Sequence, residues 1–141
     1  MVEIAATADV AQPPERLWPF LSDLRNHWRL TPSFAEVESV DGDRSGARVR
    51  ISGRFGVSRT ARTRILEANE PRELLGRADV GRGTVGSVRW LIEPSGDGSR
   101  VTLSAEVVRA SLHDRLLLVL GGRRLLRRGF EDALEQLGRM R

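Results

Sequence analysis

The chain opens on a clean alternation. Val2, Ile4, Ala6, Ala8 and Val10 are apolar, while Glu3, Ala5, Thr7 and Asp9 fill the other parity, the period of a strand with one buried face. A first strand is therefore expected over residues 2–10. Pro13 and Pro14 come next, where a helix's first turn loses nothing by a missing N–H, and Leu17, Trp18, Phe20, Leu21 and Leu24 then crowd at helical spacing. Pro19 argues against one straight helix, because an interior proline removes a backbone bond and clashes with the previous turn. Two short helices, about 13–22 and 23–30, fit better.

From Phe34 the period becomes two, interrupted by the turn signals DGDRSG (41–46), FGV (55–57), NEPR (69–72), GRG (81–83) and PSGDGS (94–99). These breaks delimit six further strands. Val49, Ile51 and Phe55 share one parity, and Arg48, Arg50 and Arg54 take the other, so the sheet should have one apolar and one wet face. Val88, Trp90 and Ile92 form a similar set, as do Val101, Leu103, Ala105 and Val107. Short connections predict antiparallel neighbours. Residues 112–138 change period again: Leu112, Leu116, Val119, Leu126, Phe130, Ala133 and Leu137 recur at three- or four-residue spacing, as in a long amphipathic helix. The expected architecture is α+β, a single domain over residues 1–141, in the order strand, two short helices, six antiparallel strands, long helix.

Composition narrows the picture. A chain of 141 residues is long enough to bury roughly 65–70% of its unfolded surface around one core. There is no apolar run near eighteen residues and no basic segment before an apolar block at the N-terminus, so a cytoplasmic protein without a membrane span is expected. Cysteine is absent, which removes disulfides, thiol nucleophiles and cysteine metal sites. All 23 basic residues are arginine, consistent with a coding bias that substitutes arginine for lysine at ordinary surface positions. Their distribution says more than their number. Arginines 44, 48, 50, 54, 59, 62 and 64 lie between Asp43 and Glu67 with no acid among them, as either a basic face for an anionic partner or solvated strand faces paired with neighbouring carboxylates.

Catalytic constellations are sparse. His27 and His113 each have an aspartate nearby, Asp23 and Asp114, and a histidine oriented by a carboxylate can act as a general base. The alternative is structural: Ser22 or Asp23 caps the second helix, and Asp114 supports the first turn of the last. No spacing resembles HExxH or GxSxG, so neither a metal site nor a serine nucleophile is expected. GRFG (53–56), GRADVGRG (76–83) and Gly121–Gly122 lack the Walker spacing and its lysine, and hairpin turns account for the first two. No cofactor is expected.

The segments PPERLWPFLSDLRNHW (13–28), GSVRWLIEPSGDGSRVTLSAEV (86–107) and LHDRLLLVLGGRRLLRRGFEDALEQL (112–137), in this order, resemble the START-like helix-grip superfamily, closest to its polyketide cyclase/dehydrase-like branch. The resemblance implies a curved seven-stranded antiparallel sheet wrapped around the C-terminal helix, with an apolar cavity between them for lipids, polyketides or quinone-like molecules. Strand parity supplies the lining independently. Val49, Ile51, Phe55, Ala61, Thr63 and Ile65 share the apolar face with Val88, Trp90, Leu103 and Ala105. Trp18, Trp28 and Phe34 join from the helical insert, and Leu116, Leu120 and Arg123 from the last helix. The same residues would equally describe a dry core. Catalytic members of the superfamily are similar in having polar residues in the cavity, and this chain has no tyrosine to place there.

Three functions follow as expectations. The first is binding of a hydrophobic small molecule, by a monomer or homodimer. The second adds a cyclase- or dehydrase-like step, with Arg89 or Arg123 polarising a carbonyl and His27 or Asp79 as base. The third is a protein- or RNA-interaction module that uses the arginine-rich outer face of the sheet. Arg123 lies seven residues from both Leu116 and Phe130, on the apolar stripe if the helix runs through Gly121–Gly122 and free to face water if the glycines break it.

Overall fold

The structure, a computed structural model, describes residues 2–22, 35–40, 46–52, 58–81, 83–112 and 123–139. Seven strands form one antiparallel sheet: β1 (Val2–Val10), β2 (Ala35–Val40), β3 (Gly46–Ser52), β4 (Ser58–Asn69), β5 (Glu73–Val80), β6 (Thr84–Ser95) and β7 (Gly98–Arg109). Two helices accompany them among the described residues, α1 (Pro14–Leu21) and α2 (Arg123–Arg139). The spatial order β1-β7-β6-β5-β4-β3-β2 makes β2 to β7 a continuous meander, to which β1 adds by pairing with β7. The first two strands therefore stand on opposite edges.

The expected first short helix is α1. Pro13 is extended, with φ −69° and ψ 161°, and Pro14 opens the first turn. Leu17, Trp18 and Leu21 are buried on one side. Pro19 lies inside the helix, leaving the Glu15 carbonyl without that backbone donor, and the helix closes where the Ser22 amide donates to the Trp18 carbonyl at 2.8 Å. The second expected helix, 23–30, lies outside the described residues, as does Gly121–Gly122. From Arg123 onward the helix is regular to Arg139.

Phe130, Ala133, Leu134 and Leu137 make the i, i+3, i+4, i+7 stripe that packs α2 on β1 and, less extensively, on β7. They meet Leu17, Trp18 and Leu21 from α1 and Leu74, Trp90, Ile92, Val101 and Leu103 from the sheet. Burying each leucine contributes about 1.5–3 kcal/mol, so this cluster is the main stabilising mass of the fold. The wet side of α2 carries Arg127 with Glu131 at 3.4 Å and Arg139 with Glu135 at 2.5 Å, both i, i+4.

Two irregularities interrupt the sheet. Between Ile65 and Glu67 the β4–β5 register slips by one, which leaves Leu66 unpaired and 60% exposed. The β6–β7 hairpin turns at Gly96, whose φ of 59° is the left-handed conformation that such a tight connection demands. No described helix is long and apolar enough to cross a membrane.

Candidate functional site

Register arranges the inner face of the sheet into rows. Leu74, Trp90, Leu103 and Ala6 are successive partners across β5, β6, β7 and β1. One step along, the row is Ile65, Gly76, Val88, Ala105 and Ile4; one step further it is Ala47, Thr63, Ala78, Gly86 and Val107. The first row is bulky and closed, with Leu74 2% and Trp90 and Leu103 each 5% exposed. The other two are filled largely by glycine, alanine and valine.

Burial divides the same way. One core cluster lies under α1 and α2, and a second, built on Ala47, Val49 and Ala61, lies on β3 and β4. Ile65 packs against both. Between them Ala78, Ala105 and Val107 remain only partly buried at inner-face register positions and pack into neither cluster, while partly buried Val88 packs against the first and Val80 against the second. Small side chains thus floor a strip of the inner face that neither cluster fills.

The polar side chains described on this face are few and engaged. The Thr63 hydroxyl, in a residue 9% exposed, donates to the Ala47 carbonyl at 3.4 Å. Thr84 accepts from the Ser111 amide at 3.1 Å, and buried Ser99 donates to the Gln12 carbonyl at 2.7 Å.

Of the expected lining residues, Trp18, Val49, Ala61, Thr63, Trp90 and Leu103 are buried on the inner side, and Ile65, Val88 and Ala105 are partly buried there. Trp28, Phe34, Phe55, Leu116, Leu120 and the candidate base His27 lie outside the described residues. For Ile51 and Arg123 only the backbone is described: Ile51 pairs with Arg59 and Ala35, and Arg123 opens α2. Whether Arg123 points inward falls outside the described side chains.

Two expected catalytic groups need correction. Arg89 sits between Val88 and Trp90 in β6, so strict alternation places it on the outer face, where it pairs with Glu73. Asp79 is outward too: it stands opposite Arg62, and Arg77 holds its Oδ1 at 2.9 Å. Neither residue reaches the apolar side. Replacing Arg89 by alanine is expected to cost about 1 kcal/mol, because Arg89 is half-exposed on the outer face, and to leave any inner-face ligand unaffected; thermal denaturation and titration of the variant check both points.

Sequence reasoning named Val88 and Ala105 as lining residues but missed Gly76, Ala78, Val80, Gly86 and Val107 in that role. The turn expected at GRADVGRG holds for Gly81 and Gly83, with φ of 56° and 90°. Gly76 instead lies inside β5, where a Cβ would come 3.0 Å from the Arg64 carbonyl oxygen of the neighbouring strand. Gly86 and Ala78 flank each other across the ladder. The available signal was an inward parity occupied by glycine and alanine.

An open antiparallel sheet with an apolar inner face, closed at one end by a C-terminal helix, defines the helix-grip class. The chain belongs to the polyketide cyclase / dehydrase and lipid transport family, whose model matches residues 1–139, and within the START-like proteins to their polyketide cyclase/dehydrase-like branch. Solved structures agree on the fold. TTHA0849 from Thermus thermophilus superposes with a TM-score of 0.70 at 19% identity, over 98% of this chain and 95% of that one. Ms6760 from Mycobacterium smegmatis gives 0.69 at 20% identity, over 96% and 88%. DynU16, from the dynemicin biosynthetic locus, gives 0.64 at 17% identity over 97% of this chain and 46% of its own. No curated protein matches the chain in sequence.

Proposed function

We propose that this protein binds a hydrophobic small molecule, of the lipid, polyketide or quinone-like kind, against the inner face of β4 to β7. The observation that carries the reading is the strip of small, partly buried inner-face residues Ala78, Ala105 and Val107, which pack into neither of the two core clusters and are flanked by Val88 on the first and Val80 on the second. An apolar floor of that composition offers area to a ligand and little else to recognise it by. The family description, which covers both cyclisation and lipid transport, supports the ligand class.

Binding is favoured over turnover by the chemistry of the same face. Its described polar side chains are hydroxyls already bonded within the protein, Thr63, Thr84 and Ser99, and the outward positions of Asp79 and Arg89 take two groups out of any cyclase mechanism. A general acid or base needs hydrogen-bond reach to a reacting group. His27 and Arg123 keep their proposed roles only in the enzymatic version of this reading. Loss of turnover in His27→Ala and Arg123→Ala would establish that version.

The direct test is native mass spectrometry of freshly purified protein, followed by displacement of a fluorescent aromatic probe with fatty acids, quinones and aromatic polyketides. Ala78→Phe supplies the structural control. Its neighbours across the ladder are Thr63 and Gly86, so the added ring has only the strip to enter. Probe affinity is expected to fall at least tenfold, about 1.4 kcal/mol, with the thermal midpoint little changed. No bound or competing ligand in the parent, or undiminished affinity in the variant, would overturn the proposal.

A further inference from the structure

The outer face of β3 to β5 carries an arrangement that folding alone disfavours. Arg48 on β3 stands directly opposite Arg62 on β4, and Arg64 on β4 directly opposite Arg77 on β5. Like charges facing each other across a ladder are destabilising. All four are exposed, as is Arg50, which faces Glu36 on one side and Thr60 on the other. The carboxylates of this face are engaged: Arg77 binds Asp79, Arg89 binds Glu73, and Glu67, beside Leu66 at the far end of β4, accepts from Asn69. Among the described residues, the side chains of Arg48, Arg62 and Arg64 have no ion-pair or hydrogen-bond partner. Arg59 does not join them: its register position, opposite Ile51 and two residues from Ala61, belongs to the inner parity.

The apolar content of this face is equally uneven. Leu66 protrudes at the β4 bulge, 60% exposed and two residues from Arg64. Leu75, in outer register opposite Arg89 and Glu67, is only partly buried. Trp18 and Trp90 are buried within the core on the other side of the sheet, and the described outer positions of β3 to β5 hold no aromatic residue.

We infer that the outer face of β3 to β5 docks on the surface of an anionic lipid bilayer, with Arg48, Arg62 and Arg64 on the head-group phosphates and Leu66 entering the boundary with the acyl chains. Charge complementarity points to an anionic partner, and guanidinium groups bind phosphate as a planar fork. Three features select a bilayer among anionic partners. An exposed leucine beside unpaired arginines finds apolar material at a lipid interface and none on a phosphodiester backbone. Single-stranded nucleic acid is gripped by stacking on aromatic rings, which this face lacks. The face is also built of strands, without the protruding helix or ribbon that enters a nucleic-acid groove. This inference rests on the outer face alone and stands or falls separately from the ligand on the inner face.

Co-sedimentation of the full chain with phosphatidylcholine vesicles, with and without phosphatidylserine, tests it. Binding is expected only to vesicles containing phosphatidylserine and should weaken as salt is raised. Removing one arginine should cost about fivefold in affinity, and Arg62→Gln/Arg64→Gln about twenty-five-fold. The double variant should keep or raise its thermal midpoint, since both opposed arginine pairs are relieved. If it folds poorly, Arg48→Gln/Arg64→Gln relieves the same pairs and takes its place. Arg139→Gln, on the wet side of α2, removes the same charge elsewhere and should bind as the parent does. Equal binding to neutral vesicles, no binding to either, an equal loss in Arg139→Gln, or tighter binding to duplex RNA or polyglutamate at the same salt would overturn the inference.

Discussion

Replacing Gly98 with alanine is expected to cost more than about 3 kcal/mol and to lower the denaturation midpoint accordingly. Gly98 opens β7 beside the end of β1, and a Cβ there would collide with the Val10 carbonyl oxygen and stand 3.2 Å from the Ala11 backbone. These are main-chain atoms, so no side chain can swing aside. Either β1 must shift or the hairpin must open. The next residue makes a shift expensive, because Ser99, 1% exposed, holds the same segment through its bond to the Gln12 carbonyl. Gly96→Ala is the comparison. Its Cβ meets nothing within 4 Å, and only its φ of 59° resists substitution, for about 1–2 kcal/mol. If urea titrations give the two variants the same loss, the close approach of β7 to β1 is wrong.

Trp90→Ala should be nearly as damaging. The indole lies in the bulky inner row between Leu74 and Leu103, 5% exposed, in the cluster that joins α1, α2 and the sheet. Removing it subtracts the transfer free energy of a large ring and leaves a cavity that two helices and three strands cannot easily collapse, about 3–5 kcal/mol. Calorimetry or denaturant titration reads the loss. The comparison with Ala78→Phe is informative, since one variant excavates the closed row and the other fills the open strip beside it. Trp90→Ala should lower stability far more than probe affinity, and Ala78→Phe should do the reverse. Equal effects on both properties in both variants would mean that closed row and open strip are one continuous core.

Strand positions were legible because each strand has one dry and one wet face, and a period of two survives in β1, β3, β6 and β7 with hardly an error. The turn residues then set the boundaries to within a residue or two. Helix α2 was legible from the stripe ending in Phe130, Ala133 and Leu137, although its start at Arg123 is described only from there on. What the alternation could not carry was anything that interrupts it. The bulge at Leu66 shifts the parity of β4, so Ala68 rather than Glu67 faces Leu74. In β5 the consecutive Leu74 and Leu75 offer two equally apolar parities, and only pairing shows that Leu74 is the buried one. The roles expected of Arg89 and Asp79 fail for a simpler reason: proximity in sequence to apolar residues is not proximity to the apolar face. Val88 and Ala105 were legible from parity, but Gly76, Ala78 and Gly86 escape notice because such residues leave little hydrophobic signature, even where their smallness is the property that matters.

The placement of β1 and β2 on opposite edges has a kinetic side. Strands β2 to β7 are separated by at most five residues and can zip together pair by pair, each hairpin presenting an edge to the next. β1 has no partner among its neighbours in sequence: Val2 aligns with Val107, and Val10 with Ser99. The residues at the start of the chain must therefore wait for nearly the whole remainder before their backbone amides find a ladder. Because α2 rests mainly on β1, the helix and the first strand should consolidate together in the slow, late step of folding, set by the longest loop the chain has to close.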